Sequence, residues 1–458
     1  MISLSFLLLL QIKYFIYAKV IKMYRNICCF LFLLLFSYTI HAQEESGYNI
    51  KIALKGIESG TYYLAGNYGY QEFVIDSAIV KKQSPIFFKS KEKKLPSGVY
   101  ILKDIYDNEL FKFIVDKSRN FSISTTLNFP YTQATIEGSE ENIIFFEYQK
   151  MKLPGDDQLM VYLKNLTDVM PNTLLATYIM AEEYRLEIPS FTDEDNEANN
   201  TAAEYAYLKE HFFDNINFND SRILRMPIDY GISLYFMHII NQKADTVIKE
   251  IDHFLEKMSK NDEVKHYFLQ YFHQMYDNGE PANDAILVHL FDKYCPDGRC
   301  QWLPDYASDR LAREVKRKRK TLPGKEIPPL VAYNLEKNQV TTSNISHSNI
   351  VLWFWDSDCD DCVELTPKLF ELYDIYKDAY DFEVFAVSVT EDFEGWERFV
   401  KEHELDWINA SYAQGEPNYD FVEYFDIFTT PAIFLINKEH IIIDRQFSIE
   451  ELLDKLEP

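Results

Sequence analysis

Cys359 and Cys362, separated by Asp360 and Asp361, are the residues of this chain best suited to covalent chemistry. Two thiols at that spacing can close into a small disulfide and reopen, passing two electrons to or from another dithiol. The thiolate is the reactive form, so the surroundings of the pair decide what it can do. Upstream, Asn349 to Trp355 reads N-I-V-L-W-F-W, a continuous apolar run with the length and the β-branched and aromatic content of a buried strand. Downstream, Val363, Leu365, Leu369, Phe370, Leu372, Tyr373 and Tyr376 recur at spacings of three and four, which predicts a helix with one apolar face. The pair therefore falls at a strand-to-helix turn. Cys359 stands at the helix N-terminus, where free backbone N–H groups favour an anion. The expected chemistry is thiol–disulfide exchange, with Cys359 attacking and Cys362, one helical step inside, resolving.

The residues around this turn resemble the thioredoxin superfamily. Phe354-Trp355 matches the F-W that precedes the family's C-x-x-C, Pro367 matches the proline inside its active-site helix, and Thr430-Pro431-Ala-Ile-Phe-Leu matches its cis-proline loop and following strand. Cys359 and Pro431 stand 72 positions apart, leaving room for an extra strand, Phe382 to Val389, and helix, Trp396 to His403. An insert there, together with Gly324-Lys-Glu-Ile-Pro328 ahead of the unit, is similar to the secreted TlpA/ResA-like branch. The resemblance covers roughly residues 322–458. It implies a C-terminal α/β thioredoxin-like fold, a catalytic pair Cys359 and Cys362, and a substrate-binding surface formed by Thr430, Pro431 and Trp355. It implies no metal, nucleotide or flavin cofactor.

Two positions depart from the family. The buried acidic residue that assists proton transfer would fall at Trp353, so that base is missing. Asp360 and Asp361 replace a neutral or proline pair, and carboxylates beside Cys359 oppose thiolate formation. Both are expected to tune the pair toward a reducing potential. A peroxiredoxin is disfavoured, because the Thr that family carries three residues before its reactive Cys is Asp356 here.

The first 42 residues carry Lys13, Lys19, Lys22 and Arg25, no acidic residue, and two apolar runs. The second run ends in Ser-Tyr-Thr-Ile-His-Ala42, as a secretory signal peptide with cleavage after Ala42 would. A start at Met23 and an uncleaved anchor are the alternatives, and only the latter would bring a membrane into contact. Cys28 and Cys29 precede the apolar run, where a lipidated cysteine would follow it. Losing those four basic residues takes the net charge from −26 to −30, which disfavours nucleic acid as a partner. The basic run Lys316-Arg-Lys-Arg-Lys320 reads as a solvated helix end that complements the dipole.

In an oxidising compartment Cys295-Pro-Asp-Gly-Arg-Cys300 contains the turn residues to close a local structural disulfide, the reading preferred to a second redox pair. A zinc site built from all four thiols is disfavoured by the wide gap between the pairs. His238, His253, His266 and His273 lie at irregular intervals and read as isolated helix-surface residues.

Residues 43–140 alternate strand-like runs with turn signals: Tyr48 to Leu54, Gly60 to Leu64, Phe73 to Ile79, Gly98 to Leu102, Leu110 to Val115 and Phe121 to Thr125. They predict an N-terminal antiparallel β-sandwich, and Ile136-Glu-Gly-Ser-Glu-Glu-Asn142 resembles the exit of a β-domain found ahead of thioredoxin-like domains. Residues 141–321 predict an α-helical middle domain, with helices over Ser233 to Met258, Val264 to Tyr276 and Asp284 to Tyr294, and a loop at Asp193-Glu-Asp-Asn-Glu197 and the following Asn-Asn-Thr. The chain is thus expected to be multidomain, with a targeting segment at 1–42 and a thioredoxin-like domain at 322–458. The expected function is dithiol–disulfide exchange in the cell envelope, with disulfide-containing protein substrates and an envelope electron donor as partners. The rival is a non-enzymatic envelope binding or scaffold protein whose C-x-x-C is only a structural disulfide.

Overall fold

The computed structural model describes residues 47–81, 84–152, 166, 168–183, 197–227, 229–277, 283–411, 420–427, 429–445 and 447–457. The targeting segment 1–42 and Asp193 to Asn196 lie outside them. The chain divides into two compact units, one running to Asn217 together with Arg222–Tyr230, the other made of Phe218–Ser221 and Gly231–Pro458.

The first unit begins with eight strands: β1 Tyr48–Lys55, β2 Gly60–Tyr68, β3 Gln71–Val80, β4 Ile86–Ser90, β5 Gly98–Lys103, β6 Glu109–Val115, β7 Asn120–Thr126 and β8 Thr135–Glu137. They form two sheets, ordered β4-β1-β7-β8 and β3-β2-β5-β6. β1 alternates buried and exposed residues, as a strand with one face on a core must. All pairs are antiparallel except β1 with β7, which run parallel. The Ile136–Asn142 motif then has a physical account. Gly138 sits at φ +85°, where a Cβ would come within 2.8 Å of the Asn120 carbonyl oxygen. Ser139 caps α1 (Glu140–Met151), and buried Asn142 exchanges two 2.7 Å hydrogen bonds with the backbone of Ile114. α2 (Leu174–Glu183) and α3 (Glu197–His211) follow; Asn199-Asn-Thr, expected in a loop, belongs to α3.

The helix expected over Ser233 to Met258 is broken. α4 (Asp229–Leu234) passes into a π-helical turn at Tyr235–Ile239, and the chain becomes extended at Ile240 before α5 (Ala244–Glu256). The Gln242 side chain donates to the carbonyls of Phe236 and Ile240, both at 2.9 Å, offering the backbone an alternative to helical bonds. α6 (Asp262–Asp277), α7 (Asp284–Tyr294) and α8 (Asp305–Lys318) complete the helical part. Phe218, Phe236, Phe254, Phe268 and Phe272 pack edge to face with centroids 4.6–5.8 Å apart. Cys295 and Cys300 are joined in a disulfide after α7, as expected.

These helices share their unit with a seven-stranded sheet, so the boundary expected at 321/322 does not separate compact units. Its strands are β9 Val331–Tyr333, β10 Gln339–Thr341, β11 Asn349–Trp355, β12 Phe382–Ser388, β13 Ile408–Ser411, β14 Ala432–Asn437 and β15 Ile442–Arg445, in the order β10-β9-β13-β12-β11-β14-β15. β11 pairs parallel with β12 and antiparallel with β14. Helices α9 (Asp360–Tyr376), α10 (Phe393–Glu402), α11 (Phe421–Tyr424) and α12 (Leu452–Leu456) complete it, with β12 and α10 in the place of the expected insert. Val351, Trp353 and Trp355 face a core with Leu369, Tyr373 and Trp396, while Ile350, Leu352 and Phe354 face another with Phe385, Phe425 and Phe434. Burial on both faces is why β11 reads as an unbroken apolar run.

The basic run at the end of α8 is exposed at Lys316, Arg319 and Lys320, as a solvated end would be, but Arg317 and Lys318 turn inward. Lys318 reaches Asp284 at 2.5 Å with both side chains largely buried, Arg317 reaches Asp426 at 2.5 Å, and Arg319 pairs with Asp292. Among the described residues no helix is long and apolar enough to cross a membrane.

Candidate active site

β11 ends at Trp355, and the turn that follows hands the chain to α9 with Cys359 as its N-cap residue. The turn is fixed by its own backbone: Cys359 N–H donates to the Asp356 carbonyl at 3.2 Å, and Asp358 N–H to the Asp356 carboxylate at 2.8 Å. Cys359 is half-buried and Cys362 fully buried, both as free thiols. The Cys362 N–H points at the Cys359 Sγ from 3.4 Å, so one free donor of the first helical turn meets the sulfur.

The third member of the site is remote in sequence and arrives ahead of β14, the strand beside β11. The Thr430–Pro431 peptide bond is cis, as the loop motif implied, and the Cys359 Sγ donates to the Thr430 carbonyl oxygen at 3.2 Å. Thr430 and Pro431 are half-buried at the mouth of the pair.

The two thiols are held in opposite states. At Cys359 burial works against the charge, but hydrogen bonds from the Cys362 and Thr430 side chains and from the backbone N–H groups of Cys362 and Asp361 outweigh it, and the thiol lies below its ordinary value. At Cys362 burial dominates, reinforced by the hydrogen bond to Cys359, and pushes the thiol up to about 12. The Asp356 N–H and the Thr430 side chain pull the other way without prevailing. One sulfur is prepared to attack, and the other keeps its proton until attack has occurred.

Three expected roles change. Asp360 and Asp361 are exposed, and no described basic side chain pairs with them, yet the Cys359 thiol is lowered rather than raised. Water screens the exposed carboxylates, while the amides of that same turn face the sulfur. Trp355, expected on the substrate surface, is fully buried with its ring 5.0 Å from Phe399, and supports the turn from beneath. Val363, placed on the apolar stripe of α9, is 42% exposed, and that face is built from Cys362, Thr366, Leu369 and Tyr373. Trp353, where the resemblance put the missing acid, is buried, and its Nε1 donates to Thr366 at 3.1 Å, one residue before the in-helix Pro367. Thr366 and the Asp356 amide were not singled out in the sequence. Thr366 looked like one polar residue in an amphipathic helix, and a backbone amide leaves no signature. Among the described residues no cluster of three or more His, Cys, Asp or Glu could hold a metal ion.

Residues 348–442 match the family model described as thioredoxin-like. The chain carries a thioredoxin-like domain. Residues 168–318 match a second model, a domain of unknown function (DUF5106). None of the curated proteins compared with the chain matches it. Among solved structures, a thioredoxin-like protein from Bacteroides caccae is similar over 60% of this chain and 98% of its own, at 16% identity and a TM-score of 0.47. A domain of a possible thiol-disulfide isomerase from Cytophaga hutchinsonii covers 30% of this chain and 90% of its own at 27% identity, TM-score 0.28. The thioredoxin domain of a thiol-disulfide oxidoreductase from Bacteroides vulgatus covers 30% and 96% at 24% identity, also with a TM-score of 0.28. The matched segment of the thioredoxin-like domain, 348–442, contains both cysteines and the cis-proline.

Proposed function

We propose that the chain is a thiol–disulfide oxidoreductase of the cell envelope that reduces disulfides in partner proteins. The observation that carries this reading is the asymmetry of the pair: Cys359 half-exposed and lowered, Cys362 buried and raised to about 12, with the Thr430 carbonyl 3.2 Å from the attacking sulfur. In the proposed reaction the Cys359 thiolate attacks one sulfur of a substrate disulfide. That S–S bond breaks, the departing thiolate takes a proton from water, and a mixed disulfide to Cys359 forms. Cys362 then gives up its proton and attacks the Cys359 Sγ, releasing the second substrate thiol. Two electrons have passed to the substrate, and the pair is left as a disulfide.

The cis-proline loop supplies backbone groups against which an extended substrate segment can align. Trp353 offers no carboxylate, so the Cys362 proton leaves to water or to the departing thiolate. The direction of exchange is set by the donor: where it keeps the pair as a dithiol, Cys362, once deprotonated, attacks the mixed disulfide with the high intrinsic nucleophilicity of a high-pKa thiol and releases the substrate. An envelope electron donor would restore the dithiol. The apolar N-terminal segment and the Cys295–Cys300 disulfide support an oxidising, exported location. A purely structural staple is the poorer reading, since it gives no reason for the Thr430 contact.

The test is dithiothreitol-driven reduction of a disulfide-linked protein by the full chain. Catalysis lost on Cys359→Ser supports the reading; wild-type protein no faster than dithiothreitol alone would sink it.

A further inference from the structure

The basic run at the end of α8 grips the segment that delivers the cis-proline. Arg317 Nε donates to the Asp426 carboxylate at 2.5 Å, and the Asp426 side chain is only 8% exposed. Asp426 adopts φ +59°, a left-handed conformation that a non-glycine residue holds only when its surroundings fix it. It sits in the turn closing α11, where Ile427 N–H donates to the Val422 carbonyl at 2.9 Å and Phe425 packs between Phe354 and Phe434 at 5.2 and 4.9 Å. The Lys320 ammonium lies 5.4 Å from the centroid of the Tyr424 ring. Four positions after Asp426 comes Thr430.

The end of α8 is itself held. Asp284, the first residue of α7, takes Lys318 at 2.5 Å and Arg445 of β15 at 3.1 Å, with side-chain exposures of 3%, 12% and 8%. Arg445 also covers the Phe434 ring from 4.9 Å, on the strand that leaves the cis-proline. A carboxylate and two cations so far from water are fixed to each other, because separating them leaves a buried charge alone. By contrast Arg319 and Asp292 are both nearly half-exposed, a setting in which an ion pair contributes about 0–1 kcal/mol.

We propose that Arg317 is a positioning residue for the dithiol: through Asp426 it sets the place of the Thr430 loop, and so the acidity of Cys359 and the docking of the substrate chain. The path is short. Arg317 holds Asp426, Thr430 follows four positions on, and Thr430 contacts the Cys359 sulfur with its carbonyl while its side chain lowers both thiols. The helical region would act on the Cys359 chemistry through this side chain, beside the contacts that Lys320 and Asp284 make with Tyr424 and Arg445.

The consequence for turnover rests on the exchange reading above, but the acidity can be read without any substrate. The experiment is the pH dependence of iodoacetamide labelling at Cys359 in the reduced full chain, for wild type, Arg317→Met, Arg317→Lys and, as a comparison, Arg319→Met. Arg317→Met is expected to shift the Cys359 pKa by half to one unit, changing the labelling rate below that pKa by about three- to tenfold. Arg317→Lys should fall between it and wild type, and Arg319→Met should superimpose on wild type. If Arg317→Met does not fold, Asp426→Asn, which keeps the shape and removes the charge, carries the same expectation. A folded Arg317→Met or Asp426→Asn protein with the wild-type profile overturns the proposal and leaves the exchange reading standing.

Discussion

The sulfur of Cys359 lies 3.2 Å from the carbonyl oxygen of Thr430, and the two residues are joined only through the folded sheet. Cys359 follows the C-terminal end of β11, and Thr430 precedes β14, its antiparallel neighbour. Pairing these two strands therefore places the cis-proline loop over the dithiol. The reactive geometry is a direct product of strand register, with Phe354 opposite Ala432 as its last rung.

Replacing Asp360 and Asp361 with Asn should move the reduction potential little. Their carboxylates are exposed and the Cys359 thiol is lowered despite them. One pKa unit corresponds to about 30 mV for a two-electron couple, and the double substitution should stay below that. Redox titration against glutathione decides it; a shift above about 60 mV would restore the carboxylates as the main control.

The two thiols make the stability of the reduced protein depend on pH in a way the disulfide form does not share. Cys362 titrates near 12 when folded, above its unfolded value of about 8.5, so the folded state holds that proton more tightly. Its contribution is complete below the unfolded value and is lost as pH rises toward the folded one, at up to about 1.4 kcal/mol per pH unit. Cys359, lowered on folding, acts with the opposite sign in the narrower window below about 8.5, where its contribution is lost as pH falls. In urea melts between pH 8.5 and 10.5 the reduced protein should lose stability relative to the oxidised protein as pH rises, because only the reduced form loses stability through Cys362. Parallel curves would mean that Cys362 is not buried as a protonated thiol.

A fragment beginning at Leu322 should be less stable than one beginning at Gly231. The shorter piece removes Asp284 and Lys318 and leaves the 8% exposed Arg445 side chain without its carboxylate. Losing one partner of a buried pair costs about 3–5 kcal/mol. Chemical denaturation of the two fragments measures the difference, and equal midpoints with equal slopes would show that the helices contribute nothing to the sheet's stability.

What the sequence made legible was local. The apolar run of β11, the helix after it, Pro367 and the Thr430-Pro431 motif each carry a short-range signal, and each lies where the pattern put it. Relationships between distant segments were hidden. The basic run at Lys316 to Lys320 reads as a solvated end because Asp426 and Asp284 are remote in sequence and have no pattern linking them to it. Trp355 closes an apolar run but is put on the substrate surface by the resemblance, whereas the core it joins, with Phe399 of α10 at 5.0 Å, buries it. The break at Ile240 is set by the side chain of Gln242, which apolar periodicity does not register. The parallel pairing of β1 with β7 escaped for the same reason as Asp426: Asn49 meets Asn120 only once the strands between them have folded away.

The claim that Cys359 attacks and Cys362 resolves is tested most directly by trapping. The Cys362→Ser and Cys359→Ser full chains are each incubated with a disulfide-linked peptide, and adducts are mapped by mass spectrometry. The half-buried, lowered Cys359 predicts a stable mixed disulfide on Cys359 in Cys362→Ser protein and almost none on Cys362 in Cys359→Ser protein. An adduct on Cys362 of comparable yield, or no adduct on Cys359 in a folded variant, would contradict the assignment.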